Sequence, residues 1–312
     1  MLDRKLLIGT RGSPLALWQA GHVRALLIAA HGVGDDAVGL SVITTSGDRI
    51  RDKPLRDFGG KGLFTEEIDE ALLESAVDLA VHSMKDLPTE LPAGISIGAV
   101  LPRGDVRDAF ISAKGESLAA LRAGAVVGSS SLRRQAQVKR LRPDLEVIDF
   151  RGNVETRLAK LEQGKADATL LALAGLARLG LTGHVTSILS TDEMLPAVAQ
   201  GAIGITRRSD DAKTRDMLQA LNDDNTATAV ACERAFLAQL EGSCRTPIAG
   251  LAEIAEGVLR FRGLVLNPEG TKWHQIERRG LPEDATSIGA ESGRGLLALA
   301  GPNFLTSLTP RL

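Results

Sequence analysis

The residues that could do chemistry in this chain cluster at the ends of apolar runs. Val77-Asp78-Leu79-Ala80-Val81-His82-Ser83-Met84-Lys85-Asp86-Leu87-Pro88 passes from an apolar strand into polar and charged groups, and Pro88 then stops regular structure. An ammonium and a carboxylate, Lys85 and Asp86, at the carboxyl end of a buried strand stand where open α/β sheets build ligand sites. The plain alternative is a solvated pair beginning a turn. Arginines recur in equivalent places: Arg11 before Gly12-Ser13-Pro14, Arg133 and Arg134 after Ser129-Ser130-Ser131, Arg151 and Arg157 around Gly152-Asn153, then Arg178. Two arginines in a first helical turn oppose the helix dipole. The sequence places no acid beside them, so an external anion would resolve the conflict. Charge-assisted hydrogen bonds of about 1.5–3 kcal/mol each would make four or five such arginines ample for a small polycarboxylate.

Positioning these groups requires strands that feed capped helices. Residues 5–10 read as a strand, followed by a helix from Leu15 to about Ala30 with Ser13 at the N-cap and Pro14 at its first position. This turn is either a ready anion site with Arg11 at its rim or an ordinary capped helix with an exposed arginine. A strand over 39–45 precedes a basic, glycine-rich stretch at 49–62 that includes Lys61, read as a surface loop or as a lid with cations for an anionic ligand. A helix over 64–75 leads back to the 77–88 stretch. Strands near 95–100, 124–128, 145–150 and 168–174 alternate with helices opened by Ser129–Ser131 and Asn153, which predicts a parallel sheet with helices on both faces. In such a doubly wound fold the strand-to-helix turns share one edge, so the arginines should converge. Residues 101–105 and 193–205 read as two crossings between domains, which makes a hinge with a cleft. A helix at 227–239, three strand-like runs near 248–255, 258–266 and 271–278, and a helix at roughly 296–300 imply a small antiparallel α+β third domain.

Composition narrows the chemistry. With 312 residues, 44% hydrophobic, 24% charged and a net charge of −2, the chain fits a multidomain soluble enzyme without a basic field for nucleic acid or membrane. Seven Phe, two Trp and no Tyr leave little for stacking bases. No apolar run reaches the ~18 residues of a membrane span, and no secretory signal precedes the first strand, so a cytoplasmic enzyme is expected. Five scattered histidines and no Cys-x-x-Cys predict no metal site, and Gly-x-Ser-x-Gly is absent. Gly59-Gly60-Lys61-Gly62 lacks the spacing and hydroxyl of a phosphate loop. Cys232, among apolar helical neighbours, reads as core packing. Cys244, on a Gly/Ser loop beside Arg245, reads as either a nucleophile or attachment point or a buried loop thiol.

The 77–88 stretch resembles the signature of the porphobilinogen deaminase (hydroxymethylbilane synthase) family. So do Gly9-Thr10-Arg11-Gly12-Ser13-Pro14-Leu15-Ala16, Gly59 to Phe64, Ser130-Ser131-Leu132-Arg133-Arg134-Gln135, Arg151-Gly152-Asn153-Val154, and Glu233-Arg234 through Gly242-Ser243-Cys244-Arg245-Thr246-Pro247-Ile248. The resemblance implies an enzyme that joins four porphobilinogen molecules head to tail with loss of ammonia and releases a linear tetrapyrrole. It implies a dipyrromethane cofactor held by a thioether to Cys244. It also implies Asp86 and Lys85 as catalytic residues, and Arg11, Ser13, Lys61, Ser83, Ser129, Ser130, Ser131, Arg133, Arg134, Arg151, Arg157, Arg178 and Gln200 as carboxylate-binding ones. The implied fold is two doubly wound, periplasmic-binding-protein-like domains (1–100 with 200–220, and 101–199) plus an α+β domain at 221–312. A cytoplasmic monomer without nucleic-acid or membrane partners is expected. Arg245 and Ala199 depart from the family's usual Gln and Gly. The competing readings are a non-catalytic two-lobed anion-binding module and, more weakly, a cysteine acyltransferase. An intact-protein mass separates them, since only the covalent dipyrromethane adds mass that Cys244→Ser abolishes.

Overall fold

Strand–turn–helix repeats organise both halves of the chain. The computed structural model describes residues 4–49, 63–240, 246–301 and Phe304. In chain order the elements begin β1 (Leu6–Arg11), α1 (Pro14–His31), β2 (Val38–Ile43), α2 (Ser46–Arg49), α3 (Glu66–Leu73), β3 (Leu79–Ser83), β4 (Ile95–Val100) and β5 (Asp108–Ser112). Next come β6 (Val126–Gly128), α4 (Leu132–Leu141), β7 (Glu146–Ile148), α5 (Val154–Glu162), β8 (Ala168–Ala172), α6 (Leu173–Arg178), β9 (Ser187–Ile188), β10 (Ile203–Arg208) and α7 (Ala212–Leu218). The last are α8 (Asp224–Gln239), β11 (Ile248–Ala255), β12 (Val258–Leu266), β13 (Trp273–Gly280) and α9 (Ala285–Ala300).

These elements form two compact units, one of residues 4–49, 63–104 and 201–227, the other of 105–200 and 228 onward. The first holds a five-stranded sheet in the order β2-β1-β3-β10-β4, in which β1 runs parallel to β2 and β3 while β10 is antiparallel to β3 and β4. The second holds β7-β6-β8-β5-β9, with β6 parallel to β7 and β8 and with β5 antiparallel to β8 and β9. The expected all-parallel sheets are thus mixed. The strands that follow each passage from one unit to the other, β5 and β10, run opposite to their neighbours.

Burial follows strand alternation. In β5, Phe110 joins Val127, Ala168 and Leu170 in one core, while Ala109 and Ile111 join Leu158, Leu171 and Leu176 in another. The sheet therefore buries both faces, as a doubly wound fold requires. In the first unit Ile8, Leu79, Val81 and Ile205 pack with Ala20, Val23 and Leu27 of α1.

The antiparallel sheet β11-β12-β13 with α8 and α9 makes the small α+β part of the second unit. Ala249, Leu251, Leu264 and Leu266 of that sheet share a core with Ala136 of α4 and with Leu195. Phe236 of α8 packs on Phe261, ring centroids 4.8 Å apart, and a Cβ at Gly263 would lie only 2.8 Å from the Phe236 ring. The final helix, expected over roughly 296–300 and its flanks, begins as far back as Ala285, where Gly289 and Gly293 in its first turns interrupt the apolar pattern that would mark it in sequence. Those glycines let α9 meet α8: a Cβ at Gly289 would fall 2.0 Å from the Cys232 carbonyl oxygen, and one at Gly293 2.5 Å from Gln239 Cβ.

Three backbone substitutions test this packing by urea denaturation. Gly289→Ala should lower stability by about 1–3 kcal/mol through overpacking against backbone. Gly21→Ala, at a helical position of α1 with no heavy atom within 4 Å, should raise it by about 0.5–1 kcal/mol. Ala199 sits at φ 59°. Ala199→Gly removes a left-handed penalty of about 1–2 kcal/mol and returns about 0.4–1 kcal/mol of unfolded-chain entropy. A net gain of about 0.5–1 kcal/mol is expected.

Candidate active site

Two sheet edges carry the chemistry, one in each unit. In the first, β1 and β3 run parallel with Gly9 level with Ala80, so Arg11 at the end of β1 and Ser83 at the end of β3 leave the same edge. The turn after β3 is a 3-10 turn, Met84–Asp86, anchored on both sides by apolar burial. Met84 is 1% exposed, its N–H donates to Ala202 O at 3.0 Å, and a Cβ at Gly204 would lie 1.9 Å from its Sδ. Leu87 is buried beyond the turn. Between these anchors Lys85 and Asp86 are held half-buried, and the Asp86 carboxylate has no hydrogen bond or ion pair among the described residues.

Arg11 is already engaged. Its Nε and Nη2 donate to Asp48 at 3.1 and 2.5 Å, and its guanidinium lies 4.2 Å from the centroid of the Phe64 ring. Burial pushes the Asp48 carboxyl up, yet hydrogen bonds from Arg11 and Thr45 outweigh it and hold the group below its ordinary value. Ser13 caps α1 by accepting from Ala16 N at 3.3 Å, and Ser83 Oγ lies 2.9 Å from Gln19 Nε2. His82, buried in β3, has Nε2 3.1 Å from Thr206 Oγ1. Burial first, then the Arg11 charge, lowers its pKa to about 4, so it is neutral at ordinary pH.

The second edge is built around a residue that the sequence reading passed over. Asp108, the first residue of β5, is fully buried opposite Ala172 at the end of β8. Its Oδ2 accepts from Arg133 Nη2 at 2.7 Å, and its Oδ1 accepts from Arg134 Nη2 at 2.7 Å and from Gln200 Nε2 at 2.8 Å. The premise that Arg133 and Arg134 lack an acidic partner is therefore corrected: the partner lies 25 and 26 residues earlier in the chain. Burial would raise the Asp108 carboxyl, but the two guanidinium charges more than reverse that and keep it ionised far below the usual carboxylate range. One carboxylate against two cations still leaves a net positive charge.

Donors at this edge remain unsatisfied. Arg133 Nη1 donates to Leu195 O at 2.7 Å, while the Nε atoms of Arg133 and Arg134 and the Nη1 of Arg151 are buried without a hydrogen-bond partner among the described residues. The serines are spent as acceptors. Ser129 Oγ takes Ser131 N at 3.2 Å, Ser130 Oγ takes Phe150 N at 3.1 Å, and Ser131 Oγ takes Arg134 N at 3.5 Å. A hydroxyl that accepts keeps its O–H as a donor. Arg157 Nε donates to Gly152 O at 2.8 Å, and burial pulls the Arg178 guanidinium below its ordinary value.

Each edge thus gathers its own set: Arg11, Ser13, Ser83, Lys85 and Asp86 in the first unit, and the serines, the five later arginines and Gln200 in the second. Lys61 and Cys244 lie outside the described residues, as do Arg245 and all of the expected 49–62 loop except Arg49, which ends α2. Cys232 is buried, and burial followed by the neighbouring Glu233 charge pushes its thiol up to about 12, which fits an inert core residue. Glu233 of α8 is a second anchor the sequence did not single out. Its carboxylate accepts from Ala199 N at 2.5 Å and from Ala252 N at 2.8 Å, tying the segment before Gln200 to β11.

Two family models match the chain: porphobilinogen deaminase, dipyromethane cofactor binding domain, over residues 6–216, and porphobilinogen deaminase, C-terminal domain, over 227–298. The chain is similar to the porphobilinogen deaminase of Nitrobacter hamburgensis, 55% identical over 299 residues that cover 96% of this chain and 95% of the relative. It is 54% identical to that of Paracoccus denitrificans, covering 95% of each chain. It is 55% identical to the chloroplastic porphobilinogen deaminase of Oryza sativa subsp. japonica, covering 96% of this chain and 86% of the relative. Among solved structures it is similar to the methionine-binding protein MetQ, with 12% identity, TM-score 0.45, and coverage of 74% of this chain and 94% of that one. Its likeness to a periplasmic substrate-binding protein from Coxiella burnetii has 13% identity, TM-score 0.44, and coverage of 73% and 96%.

The buried histidine beside Arg11 makes a pH prediction. His82 has a folded pKa of about 4, below its unfolded value of 6.5, so the unfolded chain takes up the proton first as pH falls. Its contribution to stability is complete above pH ~6.5 and is lost between about 6.5 and 4. Over that window wild type should lose roughly 2–4 kcal/mol relative to His82→Gln in urea titrations. Asp69, pushed up to about 6 chiefly by burial, has the opposite slope, so the difference between the two proteins is the diagnostic quantity. Parallel pH profiles would sink the assignment.

Proposed function

The chain belongs to the porphobilinogen deaminase family, and from that premise we infer that it joins four porphobilinogen molecules head to tail, with loss of ammonia at each addition, and that one water then cleaves the product from its primer and supplies the hydroxyl of the linear tetrapyrrole hydroxymethylbilane. The observation that carries this reading is the second sheet edge, where Arg133 Nε, Arg134 Nε and Arg151 Nη1 are buried donors awaiting acceptors. Buried donors without partners are costly, and the acetate and propionate groups of each pyrrole supply the acceptors. The same donors fit a dipyrromethane cofactor, whose pyrroles carry the same carboxylates. Its attachment by a thioether to Cys244 is part of this proposal. When bound, the dipyrromethane supplies the nucleophilic pyrrole carbon to which the first substrate is joined.

The chain's own residues divide the work. The arginines, with Lys61 and the serine hydroxyls, grip the carboxylates of substrate and product, while Gln200, whose Nε2 donates to Val106 O and Asp108 Oδ1, serves them through Asp108. Arg11 does so by exchanging Asp48 for a substrate carboxylate. Asp86 meets the pyrrole nitrogen, where positive charge develops as ammonia departs. An unpartnered carboxylate about 4 Å from such a cation favours it by about 4 kcal/mol at an effective dielectric of 20. That corresponds to on the order of a thousandfold in rate if the contact is made in the transition state. The Asp86 carboxylate also accepts a hydrogen bond from the leaving ammonium, and Lys85 on the same turn supplies an ammonium to the carboxylates of the substrate. We assign residues 1–100 with 200–220 as the catalytic domain, 101–199 as the arginine-rich domain and 221–312 as the cofactor-carrying domain of a cytoplasmic monomer.

Two measurements check the reading. The intact mass of wild type should exceed the chain mass by a covalent dipyrromethane, and Cys244→Ser should show the bare chain. Asp86→Asn should keep that added mass and slow single-turnover elongation by on the order of a thousandfold. Near-normal elongation would refute the role of Asp86.

A further inference from the structure

We propose that Asp108 is a positioning residue for substrate recognition: its buried carboxylate fixes Arg133, Arg134 and Gln200 in one arrangement and leaves the remaining donors of Arg134 to a substrate carboxylate. This rests on the reading of the chain as a porphobilinogen polymerase. Asp108 accepts three hydrogen bonds from two segments that are distant in sequence: two from the first turn of α4, and one from Gln200, three residues before β10. The two arginines are held unequally. Arg133 is braced at both ends, Nη2 on Asp108 and Nη1 on Leu195 O, and only its Nε is unused. Arg134 gives Asp108 a single Nη2, so its Nη1 and Nε have no partner among the described residues. Arg133 is therefore the strut, and Arg134 is the less committed of the two, with donors left on its guanidinium for an anion.

Charge points the same way. Two adjacent guanidiniums, each 5% exposed, repel one another. One fully buried carboxylate between them makes the pair tolerable and leaves a single net positive charge to attract an anion. An aspartate has few rotamers and both its oxygens are occupied, so it presets the direction of two side chains that would otherwise sample many. Preset donors matter because a misplacement of about 1 Å can cost about a hundredfold in rate.

The test uses purified holoenzyme, with rates normalised to the covalently loaded fraction from intact mass. Asp108→Asn should raise the KM for porphobilinogen about tenfold or more while kcat stays within about threefold. Asp108→Glu keeps the charge but adds a methylene to a full site, so its melting temperature should fall. Its KM should nevertheless stay nearer wild type than that of Asp108→Asn. A purely architectural role predicts instead that KM follows melting temperature across the three proteins, and that result, or an unchanged KM in Asp108→Asn, overturns the proposal. Should Asp108→Asn fail to fold or to load, Gln200→Ala removes one of the three donors without altering charge. Its KM should rise about threefold with a nearly unchanged melting temperature, and an unchanged KM overturns the proposal. Wild type that fails to consume porphobilinogen would sink the functional reading itself, whereas active wild type with these negative results sinks only the role of Asp108.

Discussion

Two guanidiniums and one carboxylate, all but withdrawn from water, set the terms for the second unit. A lone buried charge is prohibitive, and a buried ion pair is stable only when its geometry satisfies the remaining donors and acceptors. Asp108 meets that condition with three accepted hydrogen bonds, yet its two arginines leave the cluster one charge short of neutral. Breaking such a group typically costs about 3–5 kcal/mol. The arrangement is therefore rigid, and its rigidity is located where the strand-to-helix turns after β6, β7 and β8 open onto one edge. Stability and ligand attraction come from the same atoms.

Buried carboxylates recur as splices elsewhere in the chain. Asp78 accepts from Leu7 N at 2.8 Å and pairs with Arg4, joining the entry of β3 to β1. Asp167 accepts from Val126 N at 2.8 Å, joining the entry of β8 to β6. Glu233 spans Ala199 and Ala252, and Asp211 caps α7 through Thr214 N at 2.9 Å. Each satisfies a backbone N–H that would otherwise be orphaned near a strand or helix end. Asp86 differs from these four: its carboxylate has no partner among the described residues, and Met84 and Leu87 anchor its turn by apolar burial.

Much of this was legible because the signals were local. β11 and β12 have the bounds 248–255 and 258–266 that alternation predicts, and Ser13, Ser131 and Asn153 cap the helices their types announce. Asn153 was read as a cap beside Arg151, and Arg151 Nη1 is one of the buried donors left open. What escaped was non-local. Asp108 begins a strand only five residues long, just past the crossing expected at 101–105, and its partners lie 25, 26 and 92 residues away. The Asp48 pairing of Arg11 spans 37 residues and turns an apparently free rim arginine into an engaged one. The glycines of α9 hid a helix because their purpose is close approach to α8, which no periodicity within α9 can encode.

The same logic explains how a chain of net charge −2 can present a cationic site. Attraction for a polyanion depends on which charges are paired at the site, since exposed charges beyond about 10 Å are screened at ordinary ionic strength. At the second edge a single acid is set against Arg133 and Arg134, whereas surface arginines such as Arg142 and Arg260 are matched by Asp144 and Glu277. The imbalance at this edge is thus a buried one, where the effective dielectric is low and an uncompensated charge acts most strongly. The net positive charge of this buried cluster therefore acts locally, and the overall acidity of the chain does little to oppose it.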